Sequence, residues 1–252
     1  RGVVTCSSGN HGQGVAMAAG KLKVHTLIFV PKDCPETKKK MIRRLGGDFV
    51  ELVVTEGDYD FAEEASHKHA KDHAMTFISS FEDPLVVAAQ GTAGFEMFTD
   101  EPDIDLLIVP AGGGGLMNGF AISARAINPR VEIWGVQSEA SNPYVISWKD
   151  GIVKQAVYSE TLADGLAGGI PQSLLSLAKT RVAGILEVTE EDIAKTIAFI
   201  HKEHHQVIEG AGAVGIAALL SGKVKPQGRK TGIVVSGGNI DEEILKKILL
   251  KY

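Results

Sequence analysis

The chain has 252 residues and a formal net charge of −5, with 44% apolar and 23% charged residues. That balance is ordinary for a globular protein of one large or two modest domains. It argues against a basic nucleic-acid-binding surface, and no apolar run is long enough to span a bilayer or to read as a signal peptide.

Strand-like and helix-like runs alternate along the chain. Val3 and Val4 open a short apolar strand, and an alanine-rich helix runs through Val15 to Ala19. Val24 to Val30 reads as a buried strand ending at Pro31. Pro35 to Leu45 reads as a helix stopped by Gly46 and Gly47. Phe49 to Val54 is the next strand, Tyr59 to His73 a charged helix, Thr76 to Ile78 a strand and Leu85 to Phe98 a helix. Leu106 to Val109 is uninterrupted apolar sequence, as a central parallel strand covered on both faces requires. Helix Leu116 to Ile127 and strand Val131 to Val136 follow. Ser138 to Ile170 is the least regular stretch. Ile185 to Val188 is a strand. The helix after it is capped by Thr189 with Asp192 three residues on, and carries Ile193, Ile197 and Ile200 on one face. Ala211 to Leu220 is helical, Ile233 to Val235 is the last strand and Ile244 to Leu250 the last helix.

This rhythm predicts an α/β protein with largely parallel sheets flanked by helices. Ligands in such folds sit beyond the carboxyl ends of strands. The division expected is a small domain over residues 2–79 and a large one over 80–252. Cys6 and Cys34 are the only cysteines and form no CxxC pair. A disulfide framework is not indicated, so a reducing cytoplasm is the expected compartment.

Three glycine-bearing turns each lie between an apolar strand and a helix: Ser7-Ser8-Gly9-Asn10-His11-Gly12-Gln13-Gly14, Gly112 to Gly115, and Ser236-Gly237-Gly238-Asn239. A turn of this kind aims backbone amides at one point where a helix begins, and so suits an anion. Four consecutive glycines also let the backbone close round a phosphate. A flexible linker would share the composition, but would not join a buried strand to an amphipathic helix. The dinucleotide fingerprint fails: Gly9, Gly12 and Gly14 have the wrong spacing, and from Gly113 and Gly115 the third position falls on Asn118. The P-loop pattern fails because no Lys-Ser or Lys-Thr follows the glycines at the needed distance.

In this order the turns resemble those of the fold type II pyridoxal-phosphate enzymes, specifically the threonine/serine dehydratase (threonine ammonia-lyase) and serine racemase group. Glu209-Gly210-Ala211-Gly212-Ala213, Gly135-Val136-Gln137-Ser138-Glu139 and Thr161-Leu162-Ala163-Asp164-Gly165 extend the resemblance over the whole chain. It implies two domains, each with a largely parallel sheet flanked by helices, and pyridoxal 5'-phosphate as cofactor. It implies that Asn10 hydrogen-bonds the 3′ oxygen of the ring. Gly112, Gly113, Gly114, Gly115 and Leu116 would hold the phosphate, Ser236 would meet the pyridine nitrogen and Glu209 would lie near the ring. Ser7, Ser8, Gly9 and His11 would hold the substrate carboxylate. A neutral serine at the ring nitrogen holds no proton there as a carboxylate would, which leaves the ring a weaker electron sink and favours prompt loss of a β-hydroxyl.

The activity implied is β-elimination of L-threonine, and of L-serine, to 2-oxobutanoate or pyruvate and ammonia. Serine racemase is the rival, with Ser8 as the acid/base on the opposite face of Cα. The family's Schiff-base lysine lies in a Ser-(Phe/Tyr)-Lys-x-Arg-Gly-Ala-like stretch before the Ser7 turn, and this sequence begins only six residues before that turn. The chain is therefore expected to be a family member without its N-terminal segment, active only in complete form. A non-catalytic binder of the cofactor or of an amino acid is the alternative from another class. The sequence ends soon after the Ser236 turn, which suggests the short catabolic type, or the racemase type, rather than one with a regulatory domain. A homodimer or homotetramer is expected.

His67, His69 and His73, and His201, His204 and His205, have spacings that can bind zinc, but sit among Lys and Glu on charged faces. The family's divalent-cation site often uses Glu where this chain has Gln137, so no metal is expected. Lys38 to Lys40 with Arg43 and Arg44 reads as a solvated basic face.

Overall fold

A computed structural model describes residues 2–156 and 159–252. Backbone contacts divide the chain into two compact units, Arg1–Asp83 and Pro84–Tyr252.

The first unit holds β1 (Val3–Cys6), α1 (Asn10–Leu22), β2 (Thr26–Val30), α2 (Glu36–Gly46), β3 (Val50–Val54), α3 (Tyr59–Asp72) and β4 (Thr76–Phe77). Its sheet has the order β3-β2-β1-β4, with every pair parallel. β2 is buried at all five positions, because helices cover both of its faces. Val4, Cys6, Leu27 and Phe29 pack on one side, with Ala62 and Ala70 of α3. Ile28 and Val30 pack on the other, with Ala16 of α1 and Ile42 of α2.

The second unit holds α4 (Pro84–Asp100), β5 (Leu106–Pro110), α5 (Gly115–Ile127), β6 (Glu132–Ser138), α6 (Pro143–Trp148), α7 (Gln172–Lys179), β7 (Gly184–Val188), α8 (Glu190–His204), α9 (Gly210–Leu220), β8 (Thr231–Ile233) and α10 (Glu242–Lys251). Its sheet has the order β7-β6-β5-β8, again parallel throughout. Leu106 and Ile108 of β5 face a core built with α8 and α9, while Leu107 and Val109 face one built with α5 and α7. The alternating βα rhythm thus resolves into two parallel four-stranded sheets flanked by helices.

The start of α1, the extent of the last strand and the short helices α6 and α7 differ from the sequence reading, and the Thr189 cap agrees with it. α1 starts at Asn10 rather than inside the alanine run, because Gly9 caps it through its backbone with no side-chain signal. The last strand covers Thr231–Ile233 rather than Ile233 to Val235, although the amide of Val234 still donates to the Ile108 carbonyl at 3.0 Å. α6 spans six residues and α7 eight, too short for a helical period to stand out. Thr189 forms the expected reciprocal cap with Asp192.

Candidate functional site

In the first unit, β1 runs directly into the Ser7 turn and α1. The Gly9 amide donates to Ser7 Oγ at 3.2 Å, which folds the turn on itself. Gly12 is required there, since a Cβ would stand 3.0 Å from the Ser7 carbonyl carbon and closer to its oxygen. Asn10 is exposed at the first position of the helix. Ser8 is half-buried and lies beside the Cys34 thiol.

The His11 ring points inward. Its Nε2 lies 3.0 Å from Thr5 Oγ1, and that hydroxyl donates to the Ile78 carbonyl at 2.8 Å. With the Thr5 proton so committed, His11 must donate, which assigns the neutral tautomer with a proton on Nε2. Burial lowers the His11 pKa below the ordinary histidine value, against a smaller raising effect from the Ile78 carbonyl. The ring is thus a fastening of the turn, and what His11 has to offer a ligand is its backbone.

In the second unit, β5 and β8 are paired in register, Ile108 with Ile233. The turns that follow them, Gly112 to Gly115 and Ser236 to Asn239, therefore leave the sheet side by side at its carboxyl end. Gly114 has φ +105°, a conformation that favours glycine. The amides of Gly112, Gly113, Gly114 and Gly115 donate to nothing among the described residues. A Cβ on Gly112 would meet Leu166 Cα at 3.2 Å and the Gly165 carbonyl at 3.3 Å. Such a run of unsatisfied amides at the start of α5, with no side chain to fill the hollow, is the chemistry a phosphate requires.

Glu209 is 5% exposed and sits just before α9. Its amide donates to the Gly237 carbonyl at 3.1 Å, and its Oε2 accepts from the Asn239 amide at 2.9 Å. The carboxylate thereby fixes the Ser236 turn. Gly212 admits the same turn closely, because a Cβ there would stand 2.9 Å from the Gly237 carbonyl oxygen. Ser236 itself is exposed.

The Thr161 to Leu166 segment bridges these parts. Glu190 at the start of α8 accepts from Ser138 Oγ, from Thr161 Oγ1 at 2.6 Å and from the Leu162 amide at 2.7 Å. The residues beyond that clamp, Gly165 and Leu166, are those that face Gly112.

Two side chains to which the sequence reading gave no role at the site, Asn118 and Tyr144, complete it. Asn118 Nδ2 donates to the carbonyls of Gly114 and Leu174 at 2.9 and 3.2 Å. Tyr144, fully buried, reaches the Gly113 carbonyl at 3.4 Å. Burial raises its hydroxyl pKa above the ordinary phenol range, with Asn118 acting against that. An asparagine in the first turn of an apolar helix is a readable signal for Asn118; Tyr144 lies in irregular sequence and gives none.

Gln137 is buried and engaged at both ends of its amide, by the Ala111 carbonyl and the amides of Tyr144 and Val145. The histidines of α3 pair with rings, His67 against Phe77 at 3.8 Å and His69 on His73, which follows the helix, at 4.0 Å. No group of three or more metal-ligating side chains occurs among the described residues. Among the described residues no helix is long and apolar enough to cross a membrane. A cavity of about 300 Å³ in the first unit is lined by Glu63, His67, Phe77 and Phe81, among others, and shares no residue with the Ser7 turn.

Residues 1–237 match the family described as "Pyridoxal-phosphate dependent enzyme". The chain is 40% identical to the L-threonine ammonia-lyase of Thermotoga maritima over 253 residues, covering all of this chain and 62% of that protein. It thus spans about three fifths of that relative's length. It is 33% identical to the serine racemase of Schizosaccharomyces pombe, covering 96% of this chain and 74% of that one. The structure of the processed form of threonine deaminase isoform 2 from Solanum lycopersicum superposes with a TM-score of 0.90 at 30% identity. That match covers 98% of this chain and 72% of the other.

Proposed function

The chain belongs to the pyridoxal-phosphate dependent enzymes, and from that membership we propose that the whole protein converts L-threonine to 2-oxobutanoate and ammonia, with L-serine as a second substrate giving pyruvate. The observation that carries this reading is the set of undonated amides at Gly112 to Gly115, beside the Ser236 turn on the neighbouring strand.

When bound, pyridoxal phosphate supplies the electron withdrawal that acidifies the Cα proton of an amino acid. In this reading the amides of Gly112, Gly113, Gly114, Gly115 and Leu116 hold the phosphate. The Ser236 hydroxyl hydrogen-bonds at the pyridine nitrogen, and Glu209 keeps Ser236 in place through its hold on Asn239. Asn10 is assigned to the 3′ oxygen. Ser7, Ser8, Gly9 and His11 are assigned to the substrate carboxylate, His11 by its amide because its ring is engaged with Thr5. In the racemase alternative, which the likeness to the fission-yeast protein supports, the Ser8 hydroxyl is assigned the proton exchange at Cα.

We further propose the cytoplasm as compartment, consistent with two buried, unpaired thiols at Cys6 and Cys34, and an assembly of two or four copies. The domain boundary proposed remains near residue 80.

The test is the full-length protein with pyridoxal phosphate and either L-threonine or L-serine. The reading expects 2-oxobutanoate and ammonia in equal amounts, and pyruvate well in excess of D-serine. D-serine as the dominant product from L-serine would replace the lyase with the racemase. No turnover of either amino acid would remove both.

A further inference from the structure

We propose that three buried side chains, Gln137, Tyr144 and Asn118, form a positioning set that aims the amides of Gly112, Gly114 and Gly115 at one anion. The inference rests on the reading that this turn holds a phosphate, and adds what makes it able to do so.

Peptide geometry sets where these amides point. In a trans peptide the carbonyl and the following amide point in opposite directions, and the described chain has no cis bond. The Ala111 carbonyl accepts from Gln137 Nε2 at 2.9 Å, so the Gly112 amide points away from Gln137. The Gly113 carbonyl accepts from the Tyr144 hydroxyl at 3.4 Å, so the Gly114 amide points away from Tyr144. The Gly114 carbonyl accepts from the Asn118 amide at 3.0 Å and from Asn118 Nδ2 at 2.9 Å, so the Gly115 amide points away from Asn118 and the side chain reinforces what the first turn of α5 begins. All three donors lie at buried positions. All three amides remain without an acceptor among the described residues. Glycine leaves each of these peptide planes able to rotate, so without the carbonyl contacts the turn has many states to lose on binding.

The set is itself braced. Gln137 Oε1 accepts from the amides of Tyr144 and Val145 at 2.9 and 3.2 Å, so one side chain ties the start of α6 to the end of β5. Asn118 Nδ2 has its second proton on the Leu174 carbonyl of α7 at 3.2 Å. Tyr144 also sets which residue can stand at position 114. A Cβ on Gly114 would lie 3.0 Å from Tyr144 Cζ and nearer still to the hydroxyl. The tyrosine therefore occupies the volume a side chain would need, in addition to the demand made by φ +105°.

The test is calorimetric binding of pyridoxal 5'-phosphate, pyridoxal and inorganic phosphate to the full-length protein and to Tyr144→Phe. The wild type is expected to favour pyridoxal phosphate over pyridoxal. In Tyr144→Phe that preference should fall roughly three- to tenfold, the scale of one hydrogen bond, with inorganic phosphate weakened in parallel and pyridoxal binding unchanged. Thermal unfolding checks that the variant is folded. Gly114→Ala is the second probe: it should lose phosphate selectivity, and adding Tyr144→Phe should restore part of it by removing the nearest atom. An undiminished preference in a folded Tyr144→Phe overturns the inference while leaving the proposed function standing. A wild type with no preference for the phosphorylated form overturns both.

Discussion

The Asn239 amide donates to Glu209 Oε2 at 2.9 Å, joining the turn after β8 to the residue that opens α9. Glu209 is buried, and its own amide holds the Gly237 carbonyl in return. We expect Glu209→Ala to cost about 0.5–1.5 kcal/mol by removing the acceptor of the half-buried Asn239 hydrogen bond. Glu209→Gln, which keeps an acceptor oxygen, should cost less. Urea unfolding of the two variants reads the difference; equal stability of Glu209→Ala and wild type would show that the tie does not hold the turn.

Gly119 on α5 meets α4 through backbone. A Cβ there would stand 2.5 Å from the Val87 carbonyl oxygen and 2.7 Å from the Gly91 amide nitrogen. Neither can rotate away as a side chain would. Gly119→Ala should therefore separate the two helices and destabilise the second unit by roughly 1–3 kcal/mol, as overpacked sites do. An unchanged denaturation midpoint would contradict the close approach.

His11 makes the first unit sensitive to acid. Its folded pKa is lowered, chiefly by burial, so below the ordinary value of about 6.5 the unfolded chain takes up a proton that the folded chain refuses. Stability is full above that pH and is lost as the pH falls from about 6.5 toward the lowered folded value. His11→Gln, which can still donate to Thr5, should unfold with a shallower pH dependence across that window. Parallel profiles for the two proteins would remove His11 as the cause.

The thiols should be inert in the folded protein. Burial pushes the Cys6 pKa up to about 12, with Glu63 adding to it; burial also raises that of Cys34, against the opposing charges of Lys39 and Lys38. At pH 8 we expect neither to be alkylated by iodoacetamide until urea unfolds the chain. Rapid labelling of either in the native state would show that its surroundings open readily.

Elements with a strong local signature were legible in the sequence. Leu106 to Val109 is apolar at every position and lies at 0% exposure, as a strand covered on both sides must. The Thr189 cap was legible because both of its partners are side chains within four residues. The glycine turns were legible as turns, and their family likeness supplied the roles. What holds them was not. Gln137 lies 26 residues from the carbonyl it grips, and Tyr144 lies 31 from its own. No periodicity or spacing connects such positions; the parallel order of β5 and β6 does. The inward turn of His11 was hidden for the same reason, since its partner Thr5 matters only because that hydroxyl is committed to Ile78.

On the proposed function, the turn from Gly112 to Leu116 holds the phosphate of pyridoxal phosphate. A crystal structure of the full-length protein with the cofactor tests it most directly. The account predicts phosphate oxygens within hydrogen-bonding distance of the Gly112, Gly114 and Gly115 amides, with Ser236 beside the ring nitrogen. A phosphate bound at any other place, with those amides still undonated, would contradict it.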